Sequence, residues 1–288
     1  MQSIKVKTPA KINLTLEILN KRPDGFHNIQ SIMQAVSLFD FLTINIEDSE
    51  ENKISISGNS REIPYDSRNI AHKAAELFFE KTGINGKNVD IYIEKHIPVE
   101  AGLAGGSSNA AGVLHGLNKI FGLPLSGTEL SALAAQIGSD VSFCLFGGAK
   151  LASGRGEILE RVESADCDIV IVKPDDVSIS TKEAYQKFSE LEDKPKTNNT
   201  LKVFMALNRH EDISPLLLNH FELPILRDYP RIGEIKSLLI SSGCKNALMS
   251  GSGSSVFGIL SDEFSMPEIE NAKHFVVKTI KHGVTTQV

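Results

Sequence analysis

The sequence predicts an α/β protein of the α+β kind, with a mostly antiparallel or mixed sheet and helices on one side of that sheet. Three observations predict this fold class. Apolar and polar residues alternate in the first third of the chain, apolar residues recur at helical spacing further on, and the length of 288 residues exceeds the usual size of one domain. We therefore expect one large domain or two moderate ones.

The alternation predicts several strands. In the first strand the apolar residues share one face and the polar residues share the other, with Ile12, Leu14, Leu16 and Ile18 opposite Lys11, Asn13, Thr15 and Glu17. The segment Arg22–Gly25 then predicts a turn, because proline presets φ and glycine tolerates positive φ. Further strands are expected where apolar residues alternate or cluster, at 42–46, 54–56, 89–93 and 169–172.

Helices are expected between and after these strands. One runs from about Asn69 to Lys81, and another begins in the glycine-rich segment Gly102–Ser108, because apolar residues follow it at helical spacing. Ser126 and Glu129 form a capping-box pattern at the start of a third helix, which is predicted to end at Gly138. The later elements are a polar loop at 190–200, a helix around 232–239 and a second glycine-rich segment at 249–255.

Composition argues against several classes of function. The net charge of −6 gives no support for nucleic-acid binding, and no apolar run is long enough to cross a bilayer or resembles a secretory signal. The three cysteines, Cys144, Cys167 and Cys244, are widely spaced, which favours reduced thiols over disulfides or a zinc site. We expect a cytoplasmic protein that needs no nucleic acid, membrane or obligate protein partner.

The glycine-rich segment Gly102–Ser108 has two interpretations. Its glycines would let backbone N–H groups approach a phosphate, and the following helix N-terminus and the hydroxyls of Ser107 and Ser108 would add to the attraction. It matches neither the Walker P-loop nor the dinucleotide-binding pattern. From the residues alone, a flexible connector remains equally open.

Five further residues have a possible chemical role beside a plainer interpretation. Lys11 and Asn13 would point to the same face of the first strand, about 6.5–7 Å apart, yet most lysines on strands are simply solvated. Asp140 follows a helix end, where a carboxylate either caps the next helix or acts as a general base. Phe26 and His27 follow the turn, where they either grip a planar ring or merely anchor the loop. No histidine spacing indicates zinc.

Three segments in order resemble the GHMP kinase superfamily. The segment Pro98–Ala111, PVEAGLAGGSSNAA, resembles its central motif, Thr8–Leu14, TPAKINL, its N-terminal motif, and Met249–Phe257, MSGSGSSVF, its C-terminal glycine-rich motif. They lie near the middle, start and end, so the resemblance covers nearly the whole chain. Finer features, around Lys11, Phe26 and Asp140, are similar to a branch whose acceptor carries a cytidine diphosphate group.

The resemblance implies a fold and a reaction. The fold has an N-terminal domain of the ribosomal-protein-S5-domain-2-like type, expected over residues 1–160, and a ferredoxin-like C-terminal domain over 161–288, with the site in the cleft between them. The reaction transfers the γ-phosphoryl group of ATP, with Mg²⁺ expected, to an alcohol of a small molecule. Another acceptor (homoserine, mevalonate or a sugar) and a non-catalytic sensor remain the alternatives.

The resemblance also implies roles for particular residues. Lys11 and Asp140 match the catalytic pair, and Asn13 matches a residue that orients the substrate. Phe26, His27 and Tyr185 match the positions that hold the cytosine ring. Asn69 and Lys95 match positions near the adenine pocket. The residues expected to bind ATP also include Pro98, Gly102, Leu103, Ala104, Gly105, Gly106, Ser107, Ser108 and Asn109, and the C-terminal glycine-rich loop contributes Gly251, Ser252 and Gly253.

Overall fold

The structure, a computed structural model, describes residues 1–287 and arranges their strands in two sheets. The strands are β1 Gln2–Lys21, β2 His27–Asp48, β3 Lys53–Gly58, β4 Lys87–Glu94, β5 Ala149–Ser153, β6 Ile158–Val162, β7 Asp168–Pro174, β8 Leu218–Asn219, β9 Cys244–Met249, β10 Val256–Leu260, β11 Ala272–Lys278 and β12 Thr285–Gln287. The α-helices are α1 Ile70–Thr82, α2 Gly105–Ile120, α3 Gly127–Ile137, α4 Ser139–Phe146, α5 Thr181–Ser189, α6 Asn199–Asn208, α7 Glu222–Asp228 and α8 Pro230–Ser241.

The first sheet is mixed, as predicted. Its main order is β12-β1-β2-β4-β3, and β5, β6 and β8 join it at the sides. Most pairs are antiparallel, whereas β3 with β4 and β1 with β8 run parallel. Helices α1, α2 and α3 pack on one face of this sheet and build the first apolar core with it.

The other face of β1 and β2 is also covered by protein. The prediction of helices on one side of the sheet is therefore incomplete. Ile12 and Ile32 pack there in a second core with Ile171 of β7 and Phe257 of β10. Helix α6 contacts β1 and β2 on this side. Because β1 is buried on both faces from Thr8 to Glu17, the polar residues that alternate along it face protein rather than bulk water.

The second sheet has the order β11-β7-β10-β9, with every neighbouring pair antiparallel. Numbered by their order in the chain, these strands run 4-1-3-2, which is the arrangement of a ferredoxin-like sheet. Helix α8 packs on it, and a third core forms between α5, α7, α8 and the sheet. No helix lies between β10 and β11 within the described residues. The domain boundary near residue 160 stays a prediction.

The predicted helix signals have the expected geometry. Asn69 caps α1, its side chain accepting from the backbone N–H of Ala71. Ser126 and Glu129 form a complete capping box at α3, and Gly138 follows the end of that helix. The polar stretch around 190–200 is a loop only as far as Asn198, because α6 begins at Asn199.

Candidate active site

A cavity of about 640 Å³ opens where the two sheets meet. Its lining comes from many parts of the chain, which include β1, the start of β2, the segment after Lys95, the first turn of α4, helix α5 and the loop Gly251–Gly253. Of the residues expected in the site, the cavity is lined by Lys11, Asn13, Phe26, His27, Lys95, Pro98, Gly102, Ala104, Gly105, Gly106, Ser107, Asp140, Tyr185, Gly251, Ser252 and Gly253.

Lys11 is buried at the centre of the site, which removes the plainer interpretation of a solvated lysine. Only 4% of the residue is exposed. Its Nζ donates to Asn13 Oδ1 at 2.7 Å and to the Gly102 carbonyl at 3.0 Å, and it lies 3.8 Å from Asp140 Oδ2. The backbone N–H of Lys11 donates to the Leu103 carbonyl, so the glycine-rich segment is attached to β1 at this residue.

The side chain of Asn13 is itself held by a hydrogen bond on the side away from Lys11. Its Nδ2 donates to Ser31 Oγ at 2.8 Å, and that hydroxyl donates to the Thr15 carbonyl at 2.5 Å. The amide oxygen of Asn13 therefore faces Lys11 rather than Ser31. This chain of buried hydrogen bonds orients the Lys11 ammonium, because a buried polar side chain with all its partners present has little freedom to turn.

Asp140 lies in the first turn of α4, whose N-cap is Gly138. Its carboxylate is about a third exposed and does not hydrogen-bond the backbone as a helix cap. The capping interpretation is therefore not what the geometry shows. Asp140 faces the cavity with oxygen atoms available to a ligand, beside a buried ammonium.

The two glycine-rich segments pack directly against each other. Gly102 has a φ of +73°, and a Cβ at this residue would lie 2.0 Å from the Ser250 carbonyl oxygen, so only glycine fits. Ser250 Oγ donates to the Gly102 carbonyl at 3.0 Å, and the backbone N–H of Ser255 donates to the Ala101 carbonyl. The segments so joined present Gly105, Gly106 and Ser107, at the start of α2, to the cavity.

Four residues expected near ATP do not line the cavity. Leu103 is buried in the second core, and Ser108 Oγ donates to the Pro9 carbonyl at 2.6 Å. Asn109 Nδ2 donates to Asp40 Oδ2 at 2.8 Å, and Asn69 caps α1 and donates to the Pro64 carbonyl. Each of the four holds an element that carries lining residues.

Lys95 forms a buried ion pair beneath the start of α2. Its Nζ lies 2.6 Å from Asp40 Oδ2 and donates to the Ile97 carbonyl at 2.8 Å. Asp40 also accepts from the backbone N–H groups of His96 and Ile97. Burial lowers the pKa of the Lys95 ammonium below its usual value, although Asp40 opposes this shift. The pair fixes the wall of the cavity that Lys95 lines.

Aromatic residues form the other end of the cavity. The His27 ring stacks on Tyr185 with centroids 5.3 Å apart and planes 12° apart, and Tyr185 meets Phe221 edge to face at 4.9 Å. Phe26 is 56% exposed, and the Arg155 guanidinium lies 5.0 Å from its ring centroid. Burial, and to a lesser extent Asp140, raises the pKa of Tyr185 to about 12, so its hydroxyl is neutral.

A buried polar cluster holds the outer side of this aromatic end. Glu17, only 1% exposed, accepts from Thr197 Oγ1 and from the backbone N–H groups of Asn199 and Thr200 at the start of α6. Burial alone would raise the pKa of Glu17, but these hydrogen bonds outweigh it and the pKa lies below its usual value. The cluster ties the α5–α6 connection to β1.

His220 completes the cluster and joins it to the aromatic residues. Its Nδ1 accepts from the Ile18 N–H at 3.0 Å, and its Nε2 lies 2.9 Å from Thr197 Oγ1. Because the Thr197 proton goes to Glu17, His220 Nε2 donates to Thr197. The His220 ring stacks on Phe188 at 6.0 Å, and its chain neighbour Phe221 lines the cavity.

Sequence reasoning missed several lining residues. Arg155 and Glu100 are charged, and Thr181 hydrogen-bonds Ser252 across the cavity mouth at 3.2 Å. Glu100 has a φ of +49° and accepts from Ser178 Oγ. A signal for Arg155 existed in its two flanking glycines, Gly154 and Gly156, which predict a tight turn. Nothing in the residues around Glu100 or Thr181 predicts that these two residues line the cavity.

Comparison with known proteins defines the class. The family of GHMP kinase N-terminal domains matches residues 69–148, and the family of GHMP kinase C-terminal domains matches residues 201–274. A crystal structure of 4-(cytidine 5'-diphospho)-2C-methyl-D-erythritol kinase superposes with a TM-score of 0.80 and 29% identity, covering 96% of this chain and 99% of that one. A homoserine kinase from Cytophaga hutchinsonii shares the fold, with a TM-score of 0.76 and 19% identity over 100% of this chain and 98% of that one. The fold is that of a two-domain GHMP kinase.

Sequence relatives narrow the class to one family. The 4-diphosphocytidyl-2-C-methyl-D-erythritol kinase of Caldicellulosiruptor saccharolyticus is 41% identical over 96% of this chain and 94% of its own length. The enzyme of the same name from Geobacillus kaustophilus is 42% identical over 93% of this chain and 92% of its own length. The chain belongs to this family of kinases, within the GHMP kinases. No helix in residues 1–287 is both long and apolar enough to cross a membrane.

Proposed function

We propose that this protein transfers the γ-phosphoryl group of ATP to the C2 hydroxyl of 4-diphosphocytidyl-2-C-methyl-D-erythritol, giving the 2-phosphate and ADP in non-mevalonate isoprenoid biosynthesis. One observation carries the proposal. A single cavity holds glycines at the start of α2, an aromatic end suited to a base, and the Lys11–Asp140 pair. The names of its relatives support the choice of acceptor.

Asp140 acts as the general base. An alcohol is a poor nucleophile, so the carboxylate accepts the hydroxyl proton as the C2 oxygen bonds to the γ-phosphorus. The bond from that phosphorus to the bridging oxygen breaks, and ADP leaves with its electron pair. The partial exposure of Asp140 suits this role, because its oxygens remain open to the cavity.

Lys11 and the start of α2 would stabilise the negative charge of the transferring group. The hydrogen bonds of the buried ammonium go to neutral acceptors, and the Asp140 carboxylate lies at 3.8 Å, beyond hydrogen-bond distance. The N-terminus of α2 adds backbone N–H groups from Gly105 to Ser107. Donors that are already in place before the reaction are the larger part of catalysis in phosphoryl transfer.

Mg²⁺ is expected to arrive with ATP. No group of three or more His, Cys, Asp or Glu in residues 1–287 could hold a metal ion alone. Mg²⁺ in kinase sites is usually bound by one or two protein oxygens and the substrate phosphates. Glu100, Ser107 and Asp140 are the lining residues with suitable oxygens. The ion would offset the charge of the phosphates.

The aromatic end would bind the cytosine ring. Tyr185 and Phe26 offer ring faces for stacking, and His27 offers a hydrogen-bonding edge. Homoserine, mevalonate and simple sugars have no aromatic ring that could stack on these side chains. A cytoplasmic location is part of the proposal, and it is supported by the three free cysteines.

The deciding experiment is ADP release from ATP and Mg²⁺ with the purified protein. The acceptors are 4-diphosphocytidyl-2-C-methyl-D-erythritol, homoserine, mevalonate and galactose, each in separate reactions. Turnover with the cytidyl acceptor alone is the expected result. Turnover with another acceptor would keep the kinase and discard the cytosine pocket, and no turnover with any acceptor would favour a sensor.

A further inference from the structure

Asn219 of β8 is a buried polar residue to which the proposed reaction assigns no role. Only 2% of the residue is exposed, and it lies opposite Leu16 where β8 pairs with β1. Its Nδ2 donates to the Met249 carbonyl at 2.7 Å and to the Gly251 carbonyl at 2.8 Å. Both amide protons of Asn219 are therefore used on the end of β9 and on the glycine-rich loop that follows it.

The partners of this amide determine its orientation. A carbonyl oxygen can only accept, so the nitrogen of Asn219 must face the two carbonyls. The amide oxygen points the other way and accepts from the backbone N–H of Phe221 at 3.0 Å. An ionised aspartate at this position would have nearly the same shape, but it would offer the two carbonyls an oxygen instead of two donors.

The loop that Asn219 holds packs beside the Lys11 ammonium. A Cβ built on Gly251 would lie 3.3 Å from Lys11 Nζ and 3.4 Å from Asn13 Oδ1. The loop Gly251–Gly253 also lines the cavity. A shift of the loop would therefore change the space around the ammonium and its hydrogen bond to Asn13.

A second side chain holds the end of β9 but does not reach the loop. Glu222 Oε1 accepts from the backbone N–H of Met249 at 2.8 Å, and Glu222 Oε2 lies 2.5 Å from Lys236 Nζ. If Asn219 were replaced, Glu222 would still hold Met249, whereas the Gly251 carbonyl would lose its bond. A substitution of Asn219 therefore acts on the loop more than on the strand.

We propose that Asn219 is a positioning residue for phosphoryl transfer, which holds the loop Gly251–Gly253 against Lys11 so that the ammonium keeps its place beside Asp140. This role rests on the proposed function, because it takes the Lys11 end of the cavity as the place where the phosphoryl group is transferred. A misplacement of about 1 Å can lower a reaction rate about a hundredfold. The effect of Asn219 should therefore appear in kcat rather than in KM.

The first test needs no substrate and follows the loop itself. Backbone amide exchange over residues 249–257, read by mass spectrometry on the whole protein, should be faster in Asn219→Asp than in the wild type. The matched control is Asn118→Asp, because Asn118 is 3% exposed and bonds both backbone groups of Leu125, outside the cavity lining. The control should leave exchange over 249–257 unchanged. Unchanged exchange in Asn219→Asp would overturn the proposal.

The second test measures turnover with the acceptor that the wild type uses, per ATP-binding site counted by calorimetry. We expect kcat to fall about ten- to a hundredfold in Asn219→Asp, with both KM values within about twofold of the wild type. Asn219→Ser, which is uncharged but too short to reach both carbonyls, should lose kcat as well, and it takes the place of Asn219→Asp if that variant does not fold. Asn118→Asp should lower only the Tm. A normal kcat per site beside a lower Tm in the Asn219 variants would show a structural role alone and overturn the proposal.

Failure of the proposed function gives a different result from failure of this role. If the wild type phosphorylates another acceptor, the kcat of the variants with that acceptor still tests Asn219. If the wild type phosphorylates no acceptor, the proposed function fails and the role in phosphoryl transfer fails with it, while the exchange rates still decide whether Asn219 holds the loop.

Discussion

The ammonium of Lys11 lies 3.8 Å from the carboxylate of Asp140 but only 2.7 Å from the amide oxygen of Asn13. The lysine is thus held by a neutral residue, and the aspartate stays outside hydrogen-bond contact with it. The ammonium therefore lies beside the carboxylate without occupying its oxygens. The arrangement leaves Asp140 free to accept a proton from an acceptor hydroxyl.

Replacing Asp140 by asparagine should remove the base and keep the shape of the site. We expect kcat to fall about 10²–10⁴-fold, the usual contribution of a general base, while ATP binding persists. Steady-state ADP release and ATP binding by calorimetry measure the two effects. Asp262→Asn, at an exposed residue outside the cavity, is the control and should behave as the wild type. Near-normal turnover in Asp140→Asn would exclude Asp140 as the base.

The polar residues of β1 show which features of the site could be predicted from the sequence and which could not. Alternation predicted that Lys11, Asn13, Thr15 and Glu17 share a face, which is wrong beyond Asn13, because a β-bulge between Asn13 and Thr15 turns Thr15 and Glu17 to the opposite face. The three glycine-rich or lysine-containing motifs indicated the family. Alternation alone treats a polar face as solvated, because it carries no information about what will cover the strand. In the structure α6 covers Thr15 and Glu17, and the glycine-rich segment covers Lys11, so each of these polar residues needs a buried partner.

The unpredicted parts of the site depend on contacts between distant segments. Thr197 and His220 reach Glu17 across a large sequence separation, and Ser189 reaches His27 in the same way. No local pattern encodes such meetings, since each partner is an ordinary polar residue of a loop or helix end. The role of Asn109 was also outside local reasoning, because its side chain bonds Asp40, which is distant in sequence.

Phe26→Ala should separate the binding of the two substrates. Phe26 is more than half exposed, so its removal leaves no cavity in a core and should hardly change stability. Loss of one stacking face should raise KM for the cytidyl substrate about tenfold or more, given about 1–3 kcal/mol per stacked base. KM for ATP should stay within about twofold of the wild type, because the substitution removes no expected contact to ATP.

The comparison for Phe26→Ala is Leu123→Ala. Leu123 is 55% exposed and lies outside the cavity lining, so it controls for the loss of an exposed apolar side chain. Initial rates with each substrate varied in turn give both KM values. An equal rise of the two KM values in Phe26→Ala would contradict the stacking role.

Gly102→Ala tests the contact between the glycine-rich segments. Gly102 and Gly83 have nearly equal φ values, +73° and +70°, but a Cβ on Gly83 would meet nothing within 4 Å, whereas a Cβ on Gly102 would lie 2.0 Å from the Ser250 carbonyl oxygen. Gly83→Ala should cost about 1–2 kcal/mol from backbone strain alone. Gly102→Ala should cost about 1–3 kcal/mol more, from the steric clash.

Thermal unfolding of the two glycine variants measures this difference, and activity measures its consequence. The Tm should fall further in Gly102→Ala than in Gly83→Ala, and only Gly102→Ala should lose turnover, because its carbonyl also holds Lys11. Equal Tm values for the two variants would mean that the two glycine-rich segments separate at little free-energy cost, so that their contact does not fix the site.

Thr197→Val tests whether the buried cluster positions the aromatic end. Valine keeps the shape of the side chain but removes the hydroxyl that joins Glu17 to His220. A hydrogen bond to a charged group contributes about 1.5–3 kcal/mol, and Phe221 and Phe188 pack around this point. We expect KM for the cytidyl substrate to rise about tenfold, equivalent to about 1.4 kcal/mol, with KM for ATP unchanged. Thr197→Ser keeps the hydroxyl and should restore the wild-type KM. If the cluster is only structural, Thr197→Val should lower the Tm and the active fraction and leave both KM values unchanged. That result would show that the cluster does not position the substrate-binding residues.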